Sequence, residues 1–503
     1  MAKANEYVVG LDVGTQSTRV IIFDRDGKMV AKGARPHQPH MIRQPGWAEH
    51  PMGDLWNALT GACKDALAQF PGKLSEIKAF GLSTQRCTRV FVDKNGEFIQ
   101  PIMSWLDIRT LVPHQPGPDY EGLYKLLTNS GYDCFRLTGR YADTSGNLSG
   151  IIYPFSQKTK DWIKDPVEFS KYNLTKDQLP ELVDPGEVLG YLTPQAAFET
   201  GLPEGLPVIA GAGDKQVEVL GAGAIHEGQA YITCGTYAGF ILVGKEYLED
   251  PSLGCYIAPH PGAYHYEGYG VRRGFWNISW FARNFGCIAK NIMDTRGIPC
   301  EAALDSMAEK VPVGCEGLMF VPDFVPPSNE YRYRRGGFLG LDGRHTAAHM
   351  YRSILEGIAM SLKMNTDWML NNIKKDVSEI RIGGGGSNST VCMQIFADVF
   401  GIPVVRTTNP ESCALGAAID AAVGCGMYDN FEDAVEGMVH VRDTFEPYPY
   451  NHKFYTELID EVYKDLRPTT DPMYSKAQKF WDRWDKENPE IVRHPASSGN
   501  QEM

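Results

Sequence analysis

Apolar and polar positions alternate through the first hundred residues. YVVGLDV (7–13), TRVIIFD (18–24) and KMVAKG (28–33) each read as a strand, and the turn Asp24-Arg25-Asp26-Gly27 has hairpin chemistry. The device returns at Asp93-Lys94-Asn95-Gly96, between RVFV and EFI. Between them Leu55, Leu59, Cys63, Ala66 and Leu67 recur at helical spacing and predict a helix over 54–70. IKAFGLS then reads as another strand, so the order of elements is that of an α/β protein.

A Pro/Gly-rich passage leads into a strand near Ile209, and QAYITCGTYAGFILVG gives two apolar strands around a Gly-Thr turn. Long helical patterns follow over 349–371 and 415–424. The most informative feature is a repeat: strand, turn with Gly-Thr, strand, at 9–22 and again at 230–243. Two such turns followed by a glycine run suggest phosphates gripped from opposite sides of a cleft. A boundary near 250–252 divides the chain into an N-terminal domain over 1–252 and a second domain over 253–466. A polar surface tail, 467–503, completes it.

Composition narrows the function. A chain of 503 residues exceeds one ordinary core, so two large domains are expected. The net charge of -13 repels polyanions, and without a Lys/Arg-rich run no nucleic-acid partner is expected. Eleven cysteines are scattered with no C-x-x-C pair, which fits reduced thiols in a cytoplasm. Neither a signal-peptide pattern nor eighteen consecutive apolar residues occur, so the expected protein is cytoplasmic with no membrane partner.

Three loops could hold phosphate. In LDVGTQSTR, Gly14 allows a tight turn that aims N–H groups at an anion; Thr15, Gln16 and Ser17 add donors and Arg19 adds charge. Asp12 would face the same anion, which requires a cation between them, and Mg²⁺ on a triphosphate is that cation. A plain hairpin with a polar turn fits this motif too. Gly235 and Thr236 form the second turn. The third loop, RIGGGGSNSTVCMQIFADVFG, runs a strand into Gly384, Gly385, Gly386 and Ser387 and then a helix whose N-terminus supplies free N–H groups. Neither common nucleotide fingerprint is present, so ATP binding would rest on the three loops together. Asp214, in VIAGAGDK, is the candidate general base for phosphoryl transfer; residue type alone fits a helix N-cap equally. His37 and His40 share a Pro-rich stretch and read as a solvated loop. Phe275, Trp276, Trp280 and Phe281 read as packing residues.

The motifs together resemble the FGGY carbohydrate kinases, a family of the actin-like ATPase superfamily, from about Tyr7 to about Leu466. Besides LDVGTQSTR they include QPGWAEH (44–50), STQRCTR (83–89), WLDIRT (105–110), FRLTGRYADTSGNLSG, GAGDK, CGTYAG, GGFLGLDGRHTAAHMYRSILEGIAM (336–360), GGGGSNS and ESCALGAAIDAA. The resemblance implies two actin-like (ribonuclease H-like) α/β domains, mixed sheets flanked by helices, with a cleft between them. It implies Asp214 as base and Asp12 near Mg²⁺, with Asp214 also on the metal. Gly14, Thr15, Gln16 and Arg19 would line the first phosphate loop, and Gly235 with Thr236 the second. Gly384 to Ser387 would pack against ADP. A sugar would lie near Gln85, Arg86, Trp105, Asp107 and Asp214. The activity implied is ATP-dependent phosphorylation of a sugar hydroxyl, with ATP and Mg²⁺ as cofactors and a homodimer as the assembly to test. Arg86-Cys87 stands where glycerol kinases carry Arg-Glu and many xylulose kinases carry Met-His; a thiol cannot accept hydrogen bonds from a hydroxyl as a glutamate does. The expected substrate is a ketopentose of xylulose or ribulose type, with glycerol, erythritol or another polyol as the alternative. A sugar sensor or a chaperone-like ATPase is the alternative class.

Overall fold

The computed structural model describes residues 6–115, 120–325 and 331–488. Two mixed sheets dominate it, and their strands follow one plan. In the first, the strands run in the order 188–191, 207–213, 77–84, 7–13, 17–24, 29–36; in the second, 253–257, 264–268, 238–244, 229–234, 379–383, 404–407, 441–445. Each sheet opens with a hairpin, Tyr7–Val13 with Ser17–Asp24 and Gln229–Cys234 with Ala238–Gly244. In each, the first hairpin strand then pairs in parallel with a strand from later in the chain, and that strand with another. The repeat visible in the sequence is therefore the leading hairpin of each sheet.

The boundary expected at 252 separates the second hairpin from the sheet it belongs to. The change of sheet falls between Gly213 and Gln229, because Gln229–Cys234 is hydrogen-bonded to Glu379–Gly383 and to nothing in the first sheet. Pro and Gly mark turns, and only strand pairing assigns a hairpin to a sheet. Helix Asp54–Leu67 stops three residues short of the expected end, where Phe70 precedes Pro71. Of the expected tail, 467–487 continue a helix, Lys464–Glu487, tied down by Arg467 Nε donating to Asp323 at 2.7 Å and Arg334 Nε donating to Asp471 at 3.0 Å. The rest of that tail lies outside the described residues.

Two helices lie between the sheets. Asp214–Gly221 follows the first sheet's Pro207–Gly213 strand and packs Val219 with Tyr231, Ile241 and Val243 of the second sheet. Ser412–Gly424, from the second half of the chain, packs Leu415, Ala418 and Ile419 with Val8, Ile21, Ala79 and Ile209 of the first. Contact is at backbone distance. A Cβ on Gly10 would stand 1.9 Å from the Ala414 carbonyl oxygen, and one on Gly81, its neighbour in register, 1.8 Å from that of Ala417. Where the two helices cross, a Cβ on Gly221 would meet the Ser412 carbonyl oxygen at 1.8 Å and one on Gly416 that of Val217 at 2.1 Å. Outer helices cover the far faces: Asp54–Leu67 on the first sheet, Ala347–Ile373 and Thr390–Phe400 on the second. All eleven cysteines are unpaired. Among the described residues no helix is long and apolar enough to cross a membrane.

Asp420 lies in the Ser412–Gly424 helix, wholly buried, with neither carboxylate oxygen hydrogen-bonded among the described residues. Burial pushes its carboxyl well above the ordinary range. The folded state therefore keeps a proton that the unfolded chain releases above about pH 3.9, so the group's contribution to stability falls as pH rises, by about 1.4 kcal/mol per unit, until its folded pKa is reached. Asp420→Leu is expected to raise the melting temperature, with an advantage over the parent that widens from pH 5 to pH 8. A constant or negative difference in thermal melts across that range would contradict this.

Candidate functional site

The first hairpin ends in a turn closed by Gly14 N–H donating to Ser17 at 3.1 Å. Antiparallel register sets Asp12 opposite Arg19, and Arg19 Nη1 donates to Asp12 Oδ2 at 2.9 Å. Arg19 also faces Glu411, the residue before the Ser412–Gly424 helix, and Glu411 pairs with Lys32. Burial lifts the Asp12 carboxyl above its ordinary range, against the pull of Arg19 and with a further push from the Asp214 carboxylate. Thr15 Oγ1 accepts from Trp105 Nε1 at 2.8 Å, while Gln16 is exposed.

Asp214 opens its helix as the first residue. The N-cap is Gly213, which has no side chain to cap with, so Asp214 is not the capping residue. Among the described residues its Oδ1 accepts only from the adjacent Lys215 N–H, at 2.8 Å. The Arg86 side chain passes directly over Gly213, where a Cβ would meet Arg86 Cγ at 2.2 Å. The carboxylate is close enough to Asp12 and to the Arg86 guanidinium for its charge to act on both.

Arg86 reaches across from the first sheet's domain to the second. Its Nη2 donates to Glu267 at 2.7 Å, its carbon centre lies 4.5 Å from the Tyr256 ring centroid, and its Nη1 is buried without a partner among the described residues. Burial works against the guanidinium charge, and Glu267, Tyr256, Cys87 and Asp214 together outweigh it. Cys87 follows in the left-handed region, φ 59°, a conformation that costs a non-glycine residue about 1–3 kcal/mol and is kept only where the surroundings impose it. Gln85 is wholly buried; its Nε2 donates to His50 Nε2 at 3.1 Å and its Oε1 has no partner among the described residues. Burial, aided by His40 and His37, pushes His50 down to about 3, so its Nε2 carries the lone pair that accepts.

Two sequence expectations need correction. Asp107 is wholly buried, and its oxygens accept four bonds: Oδ1 from the Arg109 N–H and Nε, Oδ2 from the Ala48 N–H and Arg109 Nη2, at 2.7–2.9 Å. That fills the lone-pair capacity of a carboxylate and leaves none for a sugar hydroxyl. Asp107 instead fixes the loop that presents Trp105, which is 43% exposed. His37 and His40 are half-buried rather than solvated: His37 Nε2 bonds Thr18 Oγ1 at 2.8 Å, and His40 lies 4.5 Å, ring to ring, from His50.

The other two loops meet. The Gly235 carbonyl accepts from the Phe275 N–H at 3.1 Å, with Thr236 exposed beside it. Gly384, at φ +82°, lies against Cys234, where a Cβ would stand 3.0 Å from its backbone; a Cβ on Gly386 would strike the Phe275 ring at 2.2 Å. Gly385 faces open space, and Ser387 Oγ closes the turn onto the Gly384 carbonyl at 2.7 Å. Phe275 and Phe281 are buried, as packing residues should be. The run is thus held from behind and bare in front, the surface a flat ring or phosphate needs.

Glu267, Tyr256 and Glu218 also belong to this region and carried no motif that sequence reasoning could use, and Cys413, within the ESCALGAAIDAA motif, was given no role. Cys413 lies beside Asp12 and 3.7 Å from Ser83 Oγ. Among the described residues no three His, Cys, Asp or Glu side chains cluster to hold a metal alone. Asp12 and Asp214, whose charges act on each other, are two carboxylates that could hold Mg²⁺ if substrate phosphates completed its shell.

Residues 7–116 and 111–221 match the model of the N-terminal domain of the FGGY family of carbohydrate kinases, and 230–425 that of its C-terminal domain. The gap between them coincides with the change of sheet. An uncharacterized sugar kinase of Escherichia coli strain K12, YgcE, is 38% identical over 479 residues, covering 94% of this chain and 96% of the relative. The xylulose kinase of Bacillus subtilis strain 168 is 25% identical, covering 94% and 99%. Among solved structures, a gluconate kinase from Lactobacillus acidophilus superposes with a TM-score of 0.80 at 22% identity, over 94% of this chain and 100% of that one.

Removing either partner of the Arg86–Glu267 pair would leave the other charge buried, 16% and 14% exposed as they are. Glu267→Gln is expected to cost about 3 kcal/mol, seen as a lower melting temperature. The double variant Arg86→Met/Glu267→Met should recover most of the loss; a double variant as unstable as the sum of the singles would show that the pair is not coupled.

Proposed function

Because the chain belongs to the FGGY family of carbohydrate kinases it is a carbohydrate kinase, and we propose that it transfers the γ-phosphoryl group of ATP to a hydroxyl of a neutral ketopentose. The fold is the two-domain actin-like one. One observation carries the mechanistic reading: Asp214, with a carboxylate free of capping duty, opens its helix close enough to Asp12 of the first loop and to Arg86 for their charges to act on one another, with the Arg86 side chain against Gly213.

In this reading the sugar packs an apolar face on Trp105 and its hydroxyls on Gln85 Oε1 and Arg86 Nη1, buried atoms without partners among the described residues. Asp214 accepts the hydroxyl proton as the oxygen attacks phosphorus. Backbone N–H groups around Gly14 and Thr15, together with Gly235 and Thr236, face the phosphates from opposite domains. Gly384 to Ser387 back the nucleotide. Asp12 and Asp214 would hold Mg²⁺, which when bound offsets the charge on the phosphate oxygens. Arg19 keeps Asp12 oriented.

A neutral sugar is favoured because Glu267 cancels the charge of Arg86, so a sugar acid would meet a carboxylate beside the guanidinium. Xylulose kinases among the relatives support a ketopentose. Glycerol or erythritol is the alternative, and Cys87, a poor acceptor for a small polyol, weighs against it.

The test is ADP release with xylulose, ribulose, other ketoses, aldoses, polyols and gluconate as acceptors. Turnover is expected with a ketopentose, and turnover confined to gluconate or glycerol would overturn the substrate reading. Asp214→Asn should lower kcat by about 100- to 10,000-fold at an unchanged melting temperature; a variant as fast as the parent removes Asp214 from the mechanism. Gly385→Val, filling open space, should weaken ATP binding without loss of stability. Gly386→Ala, driven into Phe275, should lower the melting temperature.

A further inference from the structure

The residue after the proposed base is a lysine, and its side chain does not turn to solvent. Lys215 is 24% exposed; its Nζ lies 3.1 Å from Glu218 Oε2 and 3.5 Å from Thr233 Oγ1. Thr233 precedes Cys234-Gly235-Thr236, and its hydroxyl lies 3.9 Å from where a Gly235 Cβ would stand. The ammonium therefore bridges the helix that begins with Asp214 and the strand that ends in the second phosphate loop. Lys215 thus pairs with Glu218 and stands next in sequence to Asp214, at the start of the same helix.

We propose that Lys215 is a further catalytic residue, whose ammonium contacts the γ-phosphoryl group between the two loops. The inference rests on the kinase reading above and adds a residue to it. Lysine suits the task as a compact, rotatable donor on a flexible stem, able to move from Glu218 onto a phosphate oxygen. As the sugar oxygen bonds to the γ-phosphorus, the bond from that phosphorus to the β–γ bridging oxygen breaks and the hydroxyl proton passes to Asp214. Lys215 donates to an equatorial phosphoryl oxygen throughout and gives up no proton. ADP departs with the bridging oxygen.

A γ-phosphate contact exists with a triphosphate and not with ADP, and that difference is the test. Dissociation constants for ADP and for the non-hydrolysable triphosphate analogue adenylyl imidodiphosphate are measured by calorimetry in Mg²⁺, on the full-length parent, Lys215→Met and Lys215→Arg. Lys215→Met is expected to weaken the analogue by about 10- to 100-fold while ADP affinity stays within about twofold, and Lys215→Arg to restore much of the difference. ADP binding itself reports that the variant has folded. Equal weakening of both ligands would make Lys215 a structural partner of Glu218 and overturn the proposal, as would an unchanged ratio. A parent that binds neither nucleotide would instead sink the kinase reading beneath it.

Discussion

The molecule is organised around a contact between main chains. The Ser412–Gly424 helix lies so close to the first sheet and to the Asp214–Gly221 helix that carbonyl oxygens occupy the space a Cβ would need on Gly10, Gly81 and Gly221. Such packing tolerates little sliding, because any shift brings backbone into backbone. It fixes where Asp214 begins its helix relative to the strand carrying Asp12. The same helix carries Cys413 at its start, beside Asp12, and Glu411 precedes it, facing Arg19. A helix encoded in the last quarter of the chain thus positions residues near its beginning.

Charge in the cleft is arranged in pairs. Arg19 faces Asp12 and Glu411, Lys32 faces Glu411, Arg86 faces Glu267, and Lys215 faces Glu218. Most of these groups are too buried to stand alone, and burying an unpaired charge costs several kcal/mol. Pairing lets the protein keep several cations and anions within one small region before any ligand arrives. A phosphate or metal then competes for partners that already hold their charge, rather than creating it.

The two sheets share a strand order, and each leads with a hairpin that carries a Gly-Thr turn. The third loop packs against the second of these turns through Cys234 and Phe275. In the proposed reading substrate selection lies elsewhere, in residues gathered from separate segments: Gln85 and Arg86 after a strand of the first sheet, Trp105 on a loop that Asp107 fixes, Tyr256 and Glu267 on the edge strands of the second. Fold and phosphate chemistry are thereby separable from the choice of sugar, which fits relatives that share this architecture and bear the names of different kinases.

The hairpins, the helix beginning at Asp54 though not its end, and the glycine run were legible in the sequence because each depends on near neighbours: alternation, helical spacing, or glycine where a turn leaves no room for a side chain. What escaped depended on pairing between distant segments. The second hairpin's sheet, the buried bonding of Asp107, the enclosure of His37 and His40, and Glu267 and Glu218 as partners of Arg86 and Lys215 follow from which strands and helices meet. The sequence by itself determined the local turns and the reactive residue types. Tertiary structure decided which charges face each other and which are exposed, since burial and distance are properties of the packed chain and of no single segment.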